Sequence, residues 1–218
     1  MGNQASAIAA SNHDSGHIAG DAAGNTPAVT VTPMPVGKLI QLAAWPESLA
    51  QVASLGLRWI AAEPSVSVAP GCSRTGAAGS LLRVEPLKYW AWFDDGNRIE
   101  LEADGEQQIV DATLQTGMAT LPNGIGTALD LSGGRTRVCV AGVKATELLN
   151  RFVPIDLRVT AFPEGRVATT SFEHMGVTLW HREDTYDLFM PSSFAESFLE
   201  LLCASQQQFN VVDPASVD

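Results

Sequence analysis

Cysteine is scarce in this chain: Cys72, Cys139 and Cys203 form an odd set of three, far apart and without a CxxC pair. That pattern excludes the disulfide framework of a small secreted protein and the paired ligands of a structural zinc site. Reduced thiols in a cytoplasmic protein are expected. Basic residues are also few, 13 Lys and Arg against 24 Asp and Glu, for a formal net charge of −11. A chain so poor in clustered cations is expected to bind no nucleic acid and no anionic membrane surface. No apolar run approaches the roughly 18 residues of a membrane-spanning helix. The first Lys or Arg is Lys38, so a secretory signal with a basic start is not expected.

Catalytic signatures are missing too. There is no G-x-S-x-G elbow, P-loop, G-x-G-x-x-G or H-E-x-x-H. Gly124-Ile125-Gly126 and Gly133-Gly134 precede strand-like segments, whereas a phosphate-binding loop must open a helix. Met1-Gly2-Asn3-Gln4-Ala5-Ser6 fits an N-myristoylation pattern. One lipid chain beside an uncharged tail anchors weakly, and no anchor is expected. His13 and His17 have the i, i+4 spacing of a metal pair, but their Ser, Asp, Gly and Ala neighbours provide no helix. His181 stands near Glu183 and Asp184, as a general base beside a carboxylate would. It has no nucleophile nearby, and both it and His174 read as structural or surface histidines. No catalytic, cofactor-binding or metal-binding residue is therefore assigned to this chain.

What is present is a globular composition, 45% apolar and 17% charged over 218 residues. Residues 1–34 are rich in Ala, Gly, Ser, Asn and Thr and read as a disordered leader. One domain over 35–210 follows, with possible halves at about 35–120 and 127–210, and 211–218 read as a frayed tail. Lys38–Leu42 reads as a strand. A helix opened by Trp45-Pro46 follows, inward at Leu49, Val52, Ala53 and Leu55 and ended by Gly56. Glu63–Gly79 is a loop, Ser80–Val84 and Tyr89–Phe93 are strands, and Asp94-Asp95-Gly96-Asn97 is a turn. The carboxylates Glu100, Glu102, Asp104, Glu106 and Asp111 lack a calcium-loop pattern and read as a solvated face.

Thr136–Val140 then reads as a strand and Ala145–Val153 as a helix stopped by Pro154. Arg166–Phe172, Val177–Arg182 and Thr185–Met190 read as three strands, the last two a hairpin around Glu183-Asp184. A closing helix begins with the capping box Ser193-Phe194-Ala195-Glu196. Its apolar stripe is Phe194, Phe198, Leu201, Leu202 and Phe209. The sum is an α+β fold, antiparallel sheets with helices on one face, in ferredoxin-like halves. The earlier strand-helix-strand segment resembles a degenerate copy of the later unit. Tyr89-Trp90-Ala91-Trp92-Phe93 makes both faces of one strand apolar. Either the strand is buried inside its own domain or Trp90 and Trp92 meet a partner subunit. The interface expectation rests on those two residues.

The last third also carries a family pattern. It runs through Thr146-Glu147-Leu148-Leu149-Asn150-Arg151-Phe152-Val153-Pro154-Ile155-Asp156-Leu157 and Ala161-Phe162-Pro163-Glu164-Gly165-Arg166. It continues in Leu179-Trp180-His181-Arg182, Tyr186-Asp187-Leu188-Phe189-Met190 and Pro191-Ser192-Ser193-Phe194-Ala195. With Gln41-Leu42-Ala43-Ala44-Trp45-Pro46, these residues resemble the gamma subunit of heterotetrameric sarcosine oxidase and its relatives, including N-methylglutamate dehydrogenase. The resemblance implies a T-protein-like fold and a non-catalytic accessory subunit. Its implied partners are alpha, beta and delta chains. FAD, FMN, NAD, tetrahydrofolate and zinc are implied on those partners. The implied complex oxidatively demethylates an N-methyl amino acid and passes the methyl carbon to tetrahydrofolate. The alternatives are a gamma-like subunit of N-methylglutamate dehydrogenase and a free-standing folate-binding T-protein-like protein. Charge is uneven along the chain, with seven acids between Asp94 and Asp111 and six of the thirteen bases between Arg135 and Arg166. The acidic segment is expected in water, and the family-bearing half is the part expected to dock.

Overall fold

Alternation divides each strand's side chains between two faces, and here both faces are largely apolar, which requires cover on both sides. The computed structural model describes residues 27–94, 101 and 104–210. Their strands are β1 (Thr30–Met34), β2 (Lys38–Ala44), β3 (Ser73–Thr75), β4 (Ser80–Glu85), β5 (Lys88–Phe93), β6 (Met118–Thr120), β7 (Gly126–Asp130), β8 (Arg135–Ala141), β9 (Val167–Phe172), β10 (Met175–Arg182) and β11 (Thr185–Pro191). The helices are α1 (Leu49–Trp59), α2 (Asp104–Thr116), α3 (Ala145–Leu149) and α4 (Ala195–Phe209).

Two antiparallel sheets result, ordered β3-β4-β5-β2-β7-β6 and β1-β8-β11-β10-β9. The runs β3-β4-β5-β2 and β9-β10-β11-β8 share one topology. Each comes from a strand, a helix, three strands and a helix in chain order. The repeat suggested by the sequence is thus visible in the connectivity. Three apolar clusters fill the molecule. Helices α1 and α2 cover one face of the six-stranded sheet through Val52, Leu55, Val110, Ile40, Leu42 and Phe93. Helices α3 and α4 cover the five-stranded sheet through Leu148, Leu149, Phe198, Leu202, Val138 and Leu188. The opposite faces meet each other through Leu39, Leu82, Trp90, Trp92, Trp180 and Phe189. The fold is therefore α+β, with helices on the outer face of each antiparallel sheet.

Several elements differ from the sequence expectation. Gly56 does not end α1; it lies inside it and is buried. A Cβ there would meet Leu81 Cδ1 at 2.8 Å and Leu42 Cδ1 at 3.1 Å, so the glycine permits close approach of helix to sheet. Helix α3 stops at Leu149, short of Pro154, with Leu148 and Leu149 buried. The capping box is not formed. A 3-10 turn over Ser192–Phe194 precedes α4, which leaves Phe194 at the N-cap without a side-chain cap bond. Phe198 and Leu202 are fully buried, whereas Phe194 and Leu201 from the same stripe are 49% and 36% exposed.

Residues 30–34, assigned to the leader by composition, instead form β1 beside β8. The Asn210 side chain ties down its start, accepting from Val29 N–H at 3.0 Å and donating to Val29 O at 2.7 Å. The acidic stretch contains α2, which composition did not reveal; Val110 is its buried anchor and Glu106 pairs with Arg58 of α1 at 2.7 Å. The expectations for His13, His17, the myristoylation pattern, Asp95-Gly96-Asn97, Glu100, Glu102 and the tail at 211–218 lie outside the described residues.

Candidate functional site: the tryptophan and arginine seam

Trp90 and Trp92 project from the same face of β5, and each is 3% exposed within the chain alone. Trp90 meets Phe189 of β11 edge to face at 5.9 Å, and Trp92 meets Trp180 of β10 likewise at 5.6 Å. Their N–H groups are matched inside the chain. Trp90 Nε1 donates to Gln41 Oε1 at 3.3 Å, Trp92 Nε1 to Val36 O at 2.7 Å, and Trp180 Nε1 to Ser73 Oγ at 2.9 Å. The expectation that Trp90 and Trp92 lie against a partner subunit is corrected accordingly. The chain has a second sheet, and that sheet covers the face.

Guanidinium groups line the same seam. Arg135 lies over Trp90 with its carbon 5.4 Å from the ring centre, Arg137 over Trp92 at 4.8 Å, and Arg182 over Trp92 and Trp180 at 5.3 and 5.4 Å. Such contacts suit arginine, whose flat and weakly hydrated cation stacks on indole. Asp187, fully buried on β11, accepts two bonds from Arg137 at 3.0 Å each. Arg182 Nε adds a charge contact at 3.4 Å without hydrogen-bond geometry. Burial pushes the Cys139 thiol up, and the Asp187 carboxylate adds to the effect. Burial also lowers the Arg135 guanidinium. Arg135 has no carboxylate or hydrogen-bond partner among the described residues, unlike Arg137. Sequence reading passed over Arg135, Arg137, Trp180 and Asp187 as site residues. The available signal was Asp187 itself, a carboxylate two residues from Phe189 on an otherwise apolar strand.

His181 lies apart from the seam, on the helix-facing side of β10. Its Nδ1 is 2.8 Å from Phe162 O, and its ring stacks on Tyr186 at 4.5 Å. It lines an open cleft of about 590 Å³ with Tyr186, Glu164, Glu183 and Asp184. Thr146 also lines the cleft, with its hydroxyl 3.1 Å from the Tyr186 hydroxyl. The cleft thus gathers His181, the carboxylates and two hydroxyls, while His174 is exposed on the β9–β10 turn. A second groove, about 810 Å³, lies between α1 and the turn before β7, with the Arg58–Glu106 pair on its wall. The three cysteines are free. Among the described residues no group of three or more His, Cys, Asp or Glu is placed to hold a metal ion. No helix among them is long and apolar enough to cross a membrane.

The model of the sarcosine oxidase, gamma subunit family matches residues 88–207, the stretch from β5 almost to the end of α4. The chain belongs to this family. Sarcosine oxidase subunit gamma of Corynebacterium sp. (strain U-96) is 29% identical over 116 residues, covering 53% of this chain and 55% of that protein. The chain thus matches about half the length of that curated relative. The whole fold is similar to a chain of heterotetrameric sarcosine oxidase from Corynebacterium sp. U-96, a structure in complex with pyrrole 2-carboxylate. The TM-score is 0.66 at 21% identity over 87% of this chain and 89% of that one. It is also similar to the glycine cleavage system aminomethyltransferase T from Bartonella henselae. There the TM-score is 0.54 at 12% identity, over 84% of this chain and 50% of that one. The gamma-subunit family chain therefore has a T-protein-like fold, as the resemblance implied. The paired Trp90 and Trp92, the Arg137–Asp187 bond and the α4 stripe up to Leu202 all fall inside the matched stretch.

Proposed function

We propose that this chain is the non-catalytic gamma subunit of a heterotetrameric sarcosine oxidase-type complex in the cytoplasm. The complex oxidatively demethylates an N-methyl amino acid and passes the methyl carbon to tetrahydrofolate. Alpha, beta and delta subunits carry FAD, FMN, NAD, tetrahydrofolate and zinc, and this chain completes their assembly. The observation that carries the reading is the family match from β5 through α4. Fold similarity to a chain of a heterotetrameric sarcosine oxidase supports it over the rest of the length. In this reading the residues of the seam are structural. They hold two sheets rigidly together, so that the outer surface presents a fixed shape to the other subunits.

Co-expression with alpha, beta and delta subunits of a sarcosine oxidase-type complex tests the proposal. The expected result is a yellow complex with one copy of this chain per flavin-bearing partner. That complex should oxidise sarcosine in preference to N-methylglutamate. Elution of the chain alone, with tight tetrahydrofolate binding, would overturn the reading in favour of a free-standing folate protein. Preference for N-methylglutamate would reassign the substrate and keep the subunit role.

A further inference from the structure

The inter-sheet face of the six-stranded sheet is wider than the sheet that covers it. Alternation and register place Trp90, Gln41, Leu129 and Met118 in one row across β5, β2, β7 and β6. Trp90 is covered at 3% exposure, but Leu129 is 37% exposed and Met118 62%. Further along the same face, past a row of Ala43, Thr127 and Thr120, Trp45 continues the alternation of β2 in an extended conformation. Its indole is 55% exposed, and its Nε1 donates to Gly124 O at 2.9 Å. At the boundary between covered and open parts lies Arg135, half-buried over Trp90 and without a carboxylate among the described residues.

We infer that this open strip, Trp45, Met118 and Leu129 with Arg135 at its inner edge, docks a partner subunit. The partner presents apolar side chains around one carboxylate. The inference rests on the subunit role proposed above and adds the surface. Two observations select this occupant. The strip continues the face on which the chain packs its own second sheet, so apolar cover there extends an existing contact. A half-buried guanidinium without a counter-ion among the described residues is complementary to a carboxylate on the incoming surface. Trp and Arg are also the residues that most often dominate interface energy.

The test uses the complex assembled from the full chain and its co-expressed partners, with binding measured by titration. The double variant Met118→Glu/Leu129→Glu is expected to lower affinity at least about a hundredfold, since it buries charges on an apolar contact. Trp45→Ala is expected to lower it about thirtyfold, the scale of a hot spot. Arg135→Met keeps the side chain's bulk over Trp90; it should weaken binding about tenfold and reduce its salt dependence. Each isolated variant must melt like the unsubstituted chain, which separates docking from folding. Normal assembly by the double variant would overturn the surface while leaving the subunit role intact. Self-association through the strip, seen as a doubled mass that the double variant abolishes, would assign it to a second copy and overturn the partner. Failure of the unsubstituted chain to join any flavoprotein would overturn the subunit role and this surface with it.

Discussion

At Asp187 a single carboxylate holds one buried guanidinium in two bonds and faces a second at 3.4 Å. Removing the charge strands Arg137, which is 1% exposed, among indole rings. Asp187→Asn is expected to cost about 3–5 kcal/mol, read as a lowered urea midpoint, because the remaining cation stays buried with only Asp94 at 3.9 Å and the Pro35 carbonyl at 3.5 Å to offset it. Replacing both partners with apolar residues of similar size should cost far less, and that contrast is the check. Trp92→Ala removes contacts with Trp180, Arg137 and Arg182 together; a loss of about 3–5 kcal/mol in the isolated chain is expected. Cys139 offers a chemical readout. Its thiol is held above the ordinary value by burial and by Asp187, so its thiolate is scarcer at pH 8 than that of a free thiol. Mass mapping after iodoacetamide should find Cys203, which is exposed, alkylated well before Cys139.

At the scale of elements, α1 shows how a tertiary contact overrides a local signal. Glycine is a poor helix residue, and from sequence it reads as a stop. The helix continues because Gly56 lets α1 approach Leu81 and Leu42 of the sheet. Gly56→Ala should therefore lower stability by about 1–3 kcal/mol despite alanine's better helix propensity; overpacking outweighs the propensity gain. Thermal melting of the variant measures the sign. Helix α2 escaped sequence reading because its carboxylates dominate the composition, while its apolar anchoring comes down largely to Val110. The capping box was misread for a different reason. The 3-10 turn over Ser192–Phe194 takes up the residues that would have supplied the cap.

Across the whole molecule, the seam makes the two sheets dependent on each other. Leu39, Leu82, Trp90 and Trp92 come from one sheet, and Val167, Trp180 and Phe189 from the other. Neither sheet can keep its inner face out of water alone, so unfolding is expected as one cooperative transition rather than two. Amide exchange in Leu82→Ala should rise in β10 and β11 as well as in β4 and β5; protection lost from one sheet only would contradict this coupling. Sequence alternation determined most strands and the fold class, because periods of two and three to four are written locally; the family came from the resemblance of the motif residues between Thr146 and Ala195. It also showed that Trp90 and Trp92 needed cover. It did not show what supplied that cover. The seam joins residues about a hundred positions apart, such as Trp180 with Ser73 and Trp92 with Trp180. Only the stacking of one sheet on the other decided that these indoles are internal. The same stacking leaves Trp45, Met118 and Leu129 exposed, at the far end of β2 and on β6 and β7 beyond the strands that the five-stranded sheet covers.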